Sequence, residues 1–262
     1  MSVEVSELSF AYGKRSVLRD ISFAASDGEF LSILGSNGVG KSTLFRCILG
    51  LLTGYSGQVL INGQETRRLS VGQMAKLAAY IPQHCSPAFN YSVEDVVLMG
   101  TTVGLNALAT PGRREQERVD WALDKMGITR LRQRCFHRIS GGERQLAVIA
   151  RALVQDARVL MLDEPTASLD YGNQMLVLSQ VRGLADEGYT VIQTTHNPEQ
   201  SYMFSDRVLA LKDGSIMAQG APREIMTKEL VGSLYNTEVE LSSLYGDKVR
   251  VYTPRTVIDA KA

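Results

Sequence analysis

Nine residues constrain this chain more than any others: Gly35-Ser36-Asn37-Gly38-Val39-Gly40-Lys41-Ser42-Thr43. They follow the apolar run Phe30-Leu31-Ser32-Ile33-Leu34 and precede Leu44, Phe45 and Ile48, which have helical spacing and are stopped by Gly50. Strand, glycine turn and helix in that order fit G-x-x-x-x-G-K-[ST], a loop suited to a phosphate chain. Glycines let backbone N–H groups converge, the helix N-terminus adds partial positive charge, and Lys41 supplies a formal one. Gly35, Asn37, Gly38, Gly40, Lys41, Ser42 and Thr43 are the candidate phosphate-binding residues, with Ser42 also placed to hold Mg²⁺.

The 262 residues allow one large domain or two small ones. With 44% hydrophobic and 21% charged residues and no low-complexity tract, the chain is an ordinary folded protein. Lys+Arg 28 against Asp+Glu 28 gives zero formal net charge, so no nucleic-acid or anionic-lipid partner is expected. There is no apolar stretch near the roughly 18 residues of a membrane span, and Met1-Ser2-Val3-Glu4 does not open a signal pattern. A soluble, non-exported chain is the expectation. Cys47, Cys85 and Cys135 are odd in number without a C-x-x-C pair, so they are expected as reduced thiols, Cys47 buried among Leu44, Phe45, Ile48 and Leu49.

Along the chain, short alternating runs predict strands at Val3/Val5, Leu8/Phe10, Val17-Leu18, Ile21/Phe23 and residues 30–34. A further strand over residues 58–61 is closed by the hairpin signal Asn62-Gly63. From Ser92 to Leu153 the pattern is helical. Val119, Ala122, Leu123 and Met126 form one stripe of a helix starting after Thr110-Pro111-Gly112, which leaves Arg113, Arg114 and Arg118 on its solvated face. Strands return at residues 159–162 and 189–195, and a hairpin runs from Val208 through Asp213-Gly214 to Met217. The tail predicts a helix opened by Pro222 and a few short strands ending near Tyr252, read as structural padding. No repeat of 20–50 residues is present, so solenoids and propellers are excluded.

Two further patterns carry chemistry. Val159-Leu160-Met161-Leu162-Asp163-Glu164 is an apolar strand ending in two carboxylates; beside a phosphate loop, Asp163 can orient Mg²⁺ and Glu164 can polarise a water. Ile139-Ser140-Gly141-Gly142-Glu143-Arg144-Gln145 opens another helix, where Ser140 and Glu143 have capping-box spacing and the Gly-Gly step leaves donors for an anion.

Together these residues resemble the ATP-binding cassette ATPases over nearly the whole chain. Residues 35–43 look like the Walker A motif, residues 160–164 like Walker B, and residues 139–145 like the LSGGQ signature. Tyr12 resembles the aromatic A-loop residue, Gln83 after Tyr80-Ile81-Pro82 the Q-loop, Ser168-Leu169-Asp170 the D-loop and His196 the switch histidine, all in family order. The resemblance implies an α/β fold: a P-loop NTPase (RecA-like) core with an antiparallel β subdomain over 1–87 and 155–220, a helical signature subdomain over 88–154 and a C-terminal extension over 221–262.

It also implies ATP and Mg²⁺ as cofactors, Tyr12 stacked on adenine, metal contacts from Ser42, Gln83 and Asp163, and catalysis by Glu164, His196, Lys41 and Gln83. His84 and His137 are left as ordinary structural residues. In the family two copies pack head to tail, so Ser140, Gly142 and Asp170 of one would complete the other's site in a homodimer.

Ile139 and Glu143 replace the signature's leucine and glutamine, and Asn197-Pro198 follows His196 where many relatives have aspartate, leaving the local turn open. The implied role is the ATPase of a bacterial importer on the cytoplasmic face of the inner membrane, with two permease subunits and an external substrate-binding protein. Residues 169–174 resemble the iron–siderophore, haem and cobalamin subgroup, with molybdate or tungstate carriers close by. The alternative is a soluble cassette ATPase acting on DNA or ribosomes. It is disfavoured by the neutral charge and by the 57 positions between Gln83 and Ser140, too few for a long coiled coil. A regulator without turnover is disfavoured by the presence of Lys41, Asp163, Glu164 and His196.

Overall fold

The computed structural model describes residues 1–83, 85, 89–104 and 111–260. Strands β1 (Val3–Tyr12) and β2 (Arg15–Ala25) lead to β3 (Phe30–Leu34), helix α1 (Lys41–Ile48), β4 (Ser56–Ile61), β5 (Gln64–Glu65), α2 (Val71–Leu77) and β6 (Ala78–Ile81). Helices α3 (Val93–Leu98), α4 (Arg113–Lys125) and α5 (Gly141–Leu153) follow. The chain then runs through β7 (Val159–Asp163), α6 (Tyr171–Asp186), β8 (Thr190–Thr195), α7 (Pro198–Phe204), β9 (Arg207–Lys212) and β10 (Ser215–Gly220). The tail holds α8 (Pro222–Ile225), α9 (Lys228–Tyr235), the pair β11 (Val239–Leu244) and β12 (Val249–Pro254), and α10 (Arg255–Asp259).

The central sheet has the order β10-β9-β3-β8-β7-β6, with only β10 antiparallel to its neighbour. A second, antiparallel sheet, β2-β1-β4-β5, lies on one side. Alternation along the parallel strands explains the layering. Val159 and Met161 of β7 join α1 and the antiparallel sheet in one core, whereas Leu160 and Leu162 join α3–α6 in another. β3, β7 and β8 are therefore buried at every position, because both faces are covered.

The stripe expected on α4 is buried, with Val119, Ala122, Leu123 and Met126 all at 1% exposure or less. Arg113 and Arg114 are exposed; Arg118 is half-buried, 3.9 Å from Asp156. Cys47 is buried, and all three cysteines are free thiols. Helix α4 starts at Arg113, directly after Gly112, as its sequence predicts. The reading of His84 falls outside the described residues, while His137 stands edge-on to Phe136 at 6.0 Å. Among the described residues no helix is long and apolar enough to cross a membrane.

The tail corrects one expectation. Rather than padding, it builds a third core in which Val231 and Leu234 of α9 meet Leu34, Tyr202, Val208 and Ala210. Leu34 is the last residue before the glycine loop, so the tail packs directly beneath the end of the strand that carries it.

Phe45 is fully buried in the core that seats α1. Phe45→Ala should lower unfolding free energy by about 3–5 kcal/mol, against no more than about 0.5 kcal/mol for Arg113→Ala on an exposed face. Urea unfolding followed by circular dichroism checks this, and equal midpoints for the two variants would contradict the seating of α1.

Candidate functional site

Parallel register brings the motif residues together. Leu34 pairs with Thr195 and Asp163 with Thr194, so β3, β8 and β7 end level, and residues 35, 164 and 196 leave the sheet at one edge. Ligands in open parallel sheets bind beyond the carboxyl ends of the strands, where connections diverge to opposite faces. Here that point lies between β3 and β8.

The loop after β3 is shaped by close approach and by positive φ. A Cβ on Gly35 would sit 2.5 Å from the Leu211 carbonyl, and Gly40, at φ 109°, presses against Leu18. Gly40 is the N-cap of α1 and offers no side-chain cap, unlike Ser70, Ser92, Ser140 and Asp170 on α2, α3, α5 and α6. The first N–H groups of α1 are therefore left for an anion.

Lys41 is 5% exposed. Its Nζ donates to the carbonyls of Gly35 at 2.8 Å and Ser36 at 3.1 Å and lies 3.2 Å from Glu164 Oε1. Burial holds its pKa below the ordinary lysine value, with Glu164 and then Asp163 opposing that shift.

Glu164 is the hub of the edge. Its Oε2 accepts from Gln83 Nε2 at 3.4 Å and lies 3.3 Å from His196 Nδ1, so all four expected catalytic groups meet at one carboxylate. Its backbone sits at φ 46°, a left-handed conformation costly for a residue with a Cβ, and its N–H donates to Thr194 Oγ1 at 3.0 Å. The adjacent Asp163 is 6% exposed and accepts from Ser42 Oγ at 3.2 Å, Tyr80 Oη at 3.2 Å and Thr194 Oγ1 at 2.6 Å. Burial, then the charge of Asp163, pushes the Tyr80 phenol up to about 12, so it remains a donor.

A cleft of about 690 Å³ runs from this edge to the antiparallel sheet. Asn37, Gly38, Gly40, Lys41, Ser42, Thr43, Gln83 and Glu164 line one part; Tyr12, Arg15 and Val17 line the other. The Tyr12 ring is 46% exposed and braced edge-on by Phe10 at 4.8 Å, which leaves a face free to stack.

Ser140, Gly142 and Asp170 do not line this cleft. Ser140 forms the expected capping box: its Oγ accepts from the Glu143 N–H at 3.2 Å and its own N–H donates to Glu143 at 3.0 Å. That backbone hydrogen bond, then Arg130 at 2.8 Å, holds the Glu143 carboxyl below its ordinary value, so the replacement of glutamine is accommodated by charge at a helix N-terminus. Asp170 caps α6 through the Asn173 N–H at 2.9 Å, and Asn173 packs so closely that a Cβ on Gly142 would collide with it. The open turn after His196 is also settled: Asn197 caps α7 by accepting from Gln200 N–H at 2.9 Å, and Pro198 takes the first helical position.

Sequence reasoning missed Tyr80, Thr194 and Tyr235, whose hydroxyl donates to the His196 carbonyl at 2.7 Å.

Comparison with known proteins fits this geometry. The family model described as ABC transporter matches residues 18–167. An uncharacterized ABC transporter ATP-binding protein of Haemophilus influenzae is 35% identical, with 92% of each chain aligned. The ferric enterobactin transport ATP-binding protein of Escherichia coli is 33% identical over 87% of this chain and 85% of its own. Among solved structures, a transporter assigned to the metal-chelate ABC type, in an inward-facing conformation, superposes with a TM-score of 0.87 at 32% identity over 98% of both chains. With the cleft, the cradle and the two carboxylates in family order, this chain belongs to the ATP-binding subunits of the ABC transporters.

Proposed function

We propose that the chain hydrolyses ATP to power a bacterial importer of a metal chelate, the class that includes iron–siderophore, haem and cobalamin complexes. It would act as a homodimer on the cytoplasmic face of the membrane, with two permease subunits and an external binding protein. The observation that carries the chemistry is the convergence of Lys41, Gln83 and His196 on Glu164 beside an uncapped helix N-terminus. The names of the iron-chelate relative and of the metal-chelate transporter support the cargo class.

In this reading adenine stacks on Tyr12, and the phosphates take the N–H groups of residues 35–43 together with Lys41. Among the described residues no cluster of three or more His, Cys, Asp or Glu side chains forms a metal cage. The oxygens of Ser42, Asp163 and Gln83 are instead the hard donors that suit Mg²⁺, an ion that keeps waters and phosphate oxygens in its shell. Bound there, it would neutralise charge building on the phosphate oxygens. A triphosphate competes with Glu164 for Lys41, which frees the carboxylate to take a proton from the attacking water. His196 then donates to the γ-phosphate. Ser140 and Gly142, which do not line their own chain's cleft, meet the γ-phosphate of a second copy.

Glu164→Gln should keep ATP binding, lose at least about 100-fold in turnover and accumulate as a dimer on size-exclusion chromatography. Near-normal hydrolysis would contradict the role of Glu164. Tagged Glu164→Gln purified from membranes should bring integral permease subunits with it; recovery with ribosomes or DNA would instead favour the soluble alternative. Ser140→Arg should abolish the ATP-dependent dimer while the monomer still binds nucleotide, and loss of monomer binding would contradict a site completed by the second copy.

A further inference from the structure

The chain beyond β10 returns to the catalytic edge and touches it at one atom. Tyr235, the last residue of α9, donates its hydroxyl to the backbone carbonyl of His196 at 2.7 Å. We propose that Tyr235 is a positioning residue for His196, through which the C-terminal extension sets the angle of the switch histidine. The proposal deepens the functional reading above and rests on His196 contacting the γ-phosphate.

The geometry on both sides of this bond is rigid. Val231 and Leu234 fix α9 against Leu34, the end of the strand that carries the glycine loop, and against its register partner Ala210 on β9. Lys212, at the end of β9, donates to the Ser233 carbonyl at 2.5 Å and to Asn236 Oδ1 at 3.1 Å, placing a cation at the C-terminal end of α9, where the helix dipole favours it. Asn236 then takes a left-handed φ of 51° and stops the helix at the tyrosine.

On the other side of the histidine, α7 is tied to the tail hairpin. Tyr202 Oη donates to the Asp247 carbonyl at 2.7 Å, and Asp247 is in turn gripped by Arg250 through two 2.8 Å bonds. The His196 turn is thus held from α9 and from the β11–β12 hairpin together.

The imidazole itself has little packing to orient it. His196 is 47% exposed, and its Nδ1 lies 3.3 Å from Glu164 Oε2. With the ring half in solvent and Glu164 as its one close polar contact among the described residues, its direction depends on the backbone at the end of β8, which is where Tyr235 acts. Burial, then the charge of Glu164, pushes the Tyr235 phenol well above its ordinary value, so the donor keeps its proton throughout the working pH range.

Tyr235→Phe keeps the ring and its packing and removes only the donor. In the full chain, kcat for ATP hydrolysis should fall about three- to tenfold, the scale of one neutral hydrogen bond, with KM for ATP held and the thermal midpoint lowered by no more than about 4 °C. In a His196→Ala background the same change should cause no further loss, because the tyrosine acts through the histidine. Wild-type kcat in Tyr235→Phe, beside a crippled His196→Ala, would overturn the positioning role while sparing the assignment of His196. An equal loss in both backgrounds would overturn it too. Full turnover in His196→Ala would remove the reading beneath it.

Discussion

The constraint on which the rest depends is the common register of β3, β8 and β7. Their backbone ladders end level, so three separate connections leave the sheet within reach of one another. A slip of one residue would turn each buried side chain to the opposite face and carry Asp163 away from Ser42. The apolar runs on those strands are therefore as much part of the site as the polar residues after them. Burial on both faces makes the register costly to change, and the polar ends inherit that precision.

Charge is concentrated at that edge, where one lysine stands beside two carboxylates. Lys41 is nearly buried, and its closest partners are two loop carbonyls and Glu164. Glu164 in turn shares its oxygens among a lysine, an amide and an imidazole while its backbone is held in a left-handed conformation. Strain and an overcommitted carboxylate at the same residue are features of sites poised to exchange partners. Thr194 supports both acids at once, bonding the Asp163 carboxylate and the Glu164 N–H.

What could be read in advance was local. The glycine loop, the strand ending in two acids and the capping box at Ser140 are each specified within a few residues, by spacing and turn chemistry alone. The strand β6 was missed because four residues, Ala78–Ile81, are too few to show a period. Tyr80, Thr194 and Tyr235 were missed for another reason: their partners lie 83, 31 and 39 positions away. Nothing in the neighbourhood of a tyrosine marks a hydrogen bond formed across the fold. The tail was misjudged on the same ground, since its function as a support shows only where α9 meets the end of β3. That Ser140 and Gly142 do not line the cleft of their own chain is likewise a tertiary fact.

The central claim is that the N–H groups of residues 35–43, with Lys41, bind a triphosphate. Isothermal titration of the purified chain with magnesium ATP tests it most directly, with Lys41→Ala as the paired variant. The account predicts heat saturating at one nucleotide per chain, and affinity lowered about 100-fold or more when the lysine is removed, the scale expected for a buried charge on phosphate. Absence of binding by the unaltered chain, or equal affinity in the two proteins, would contradict it.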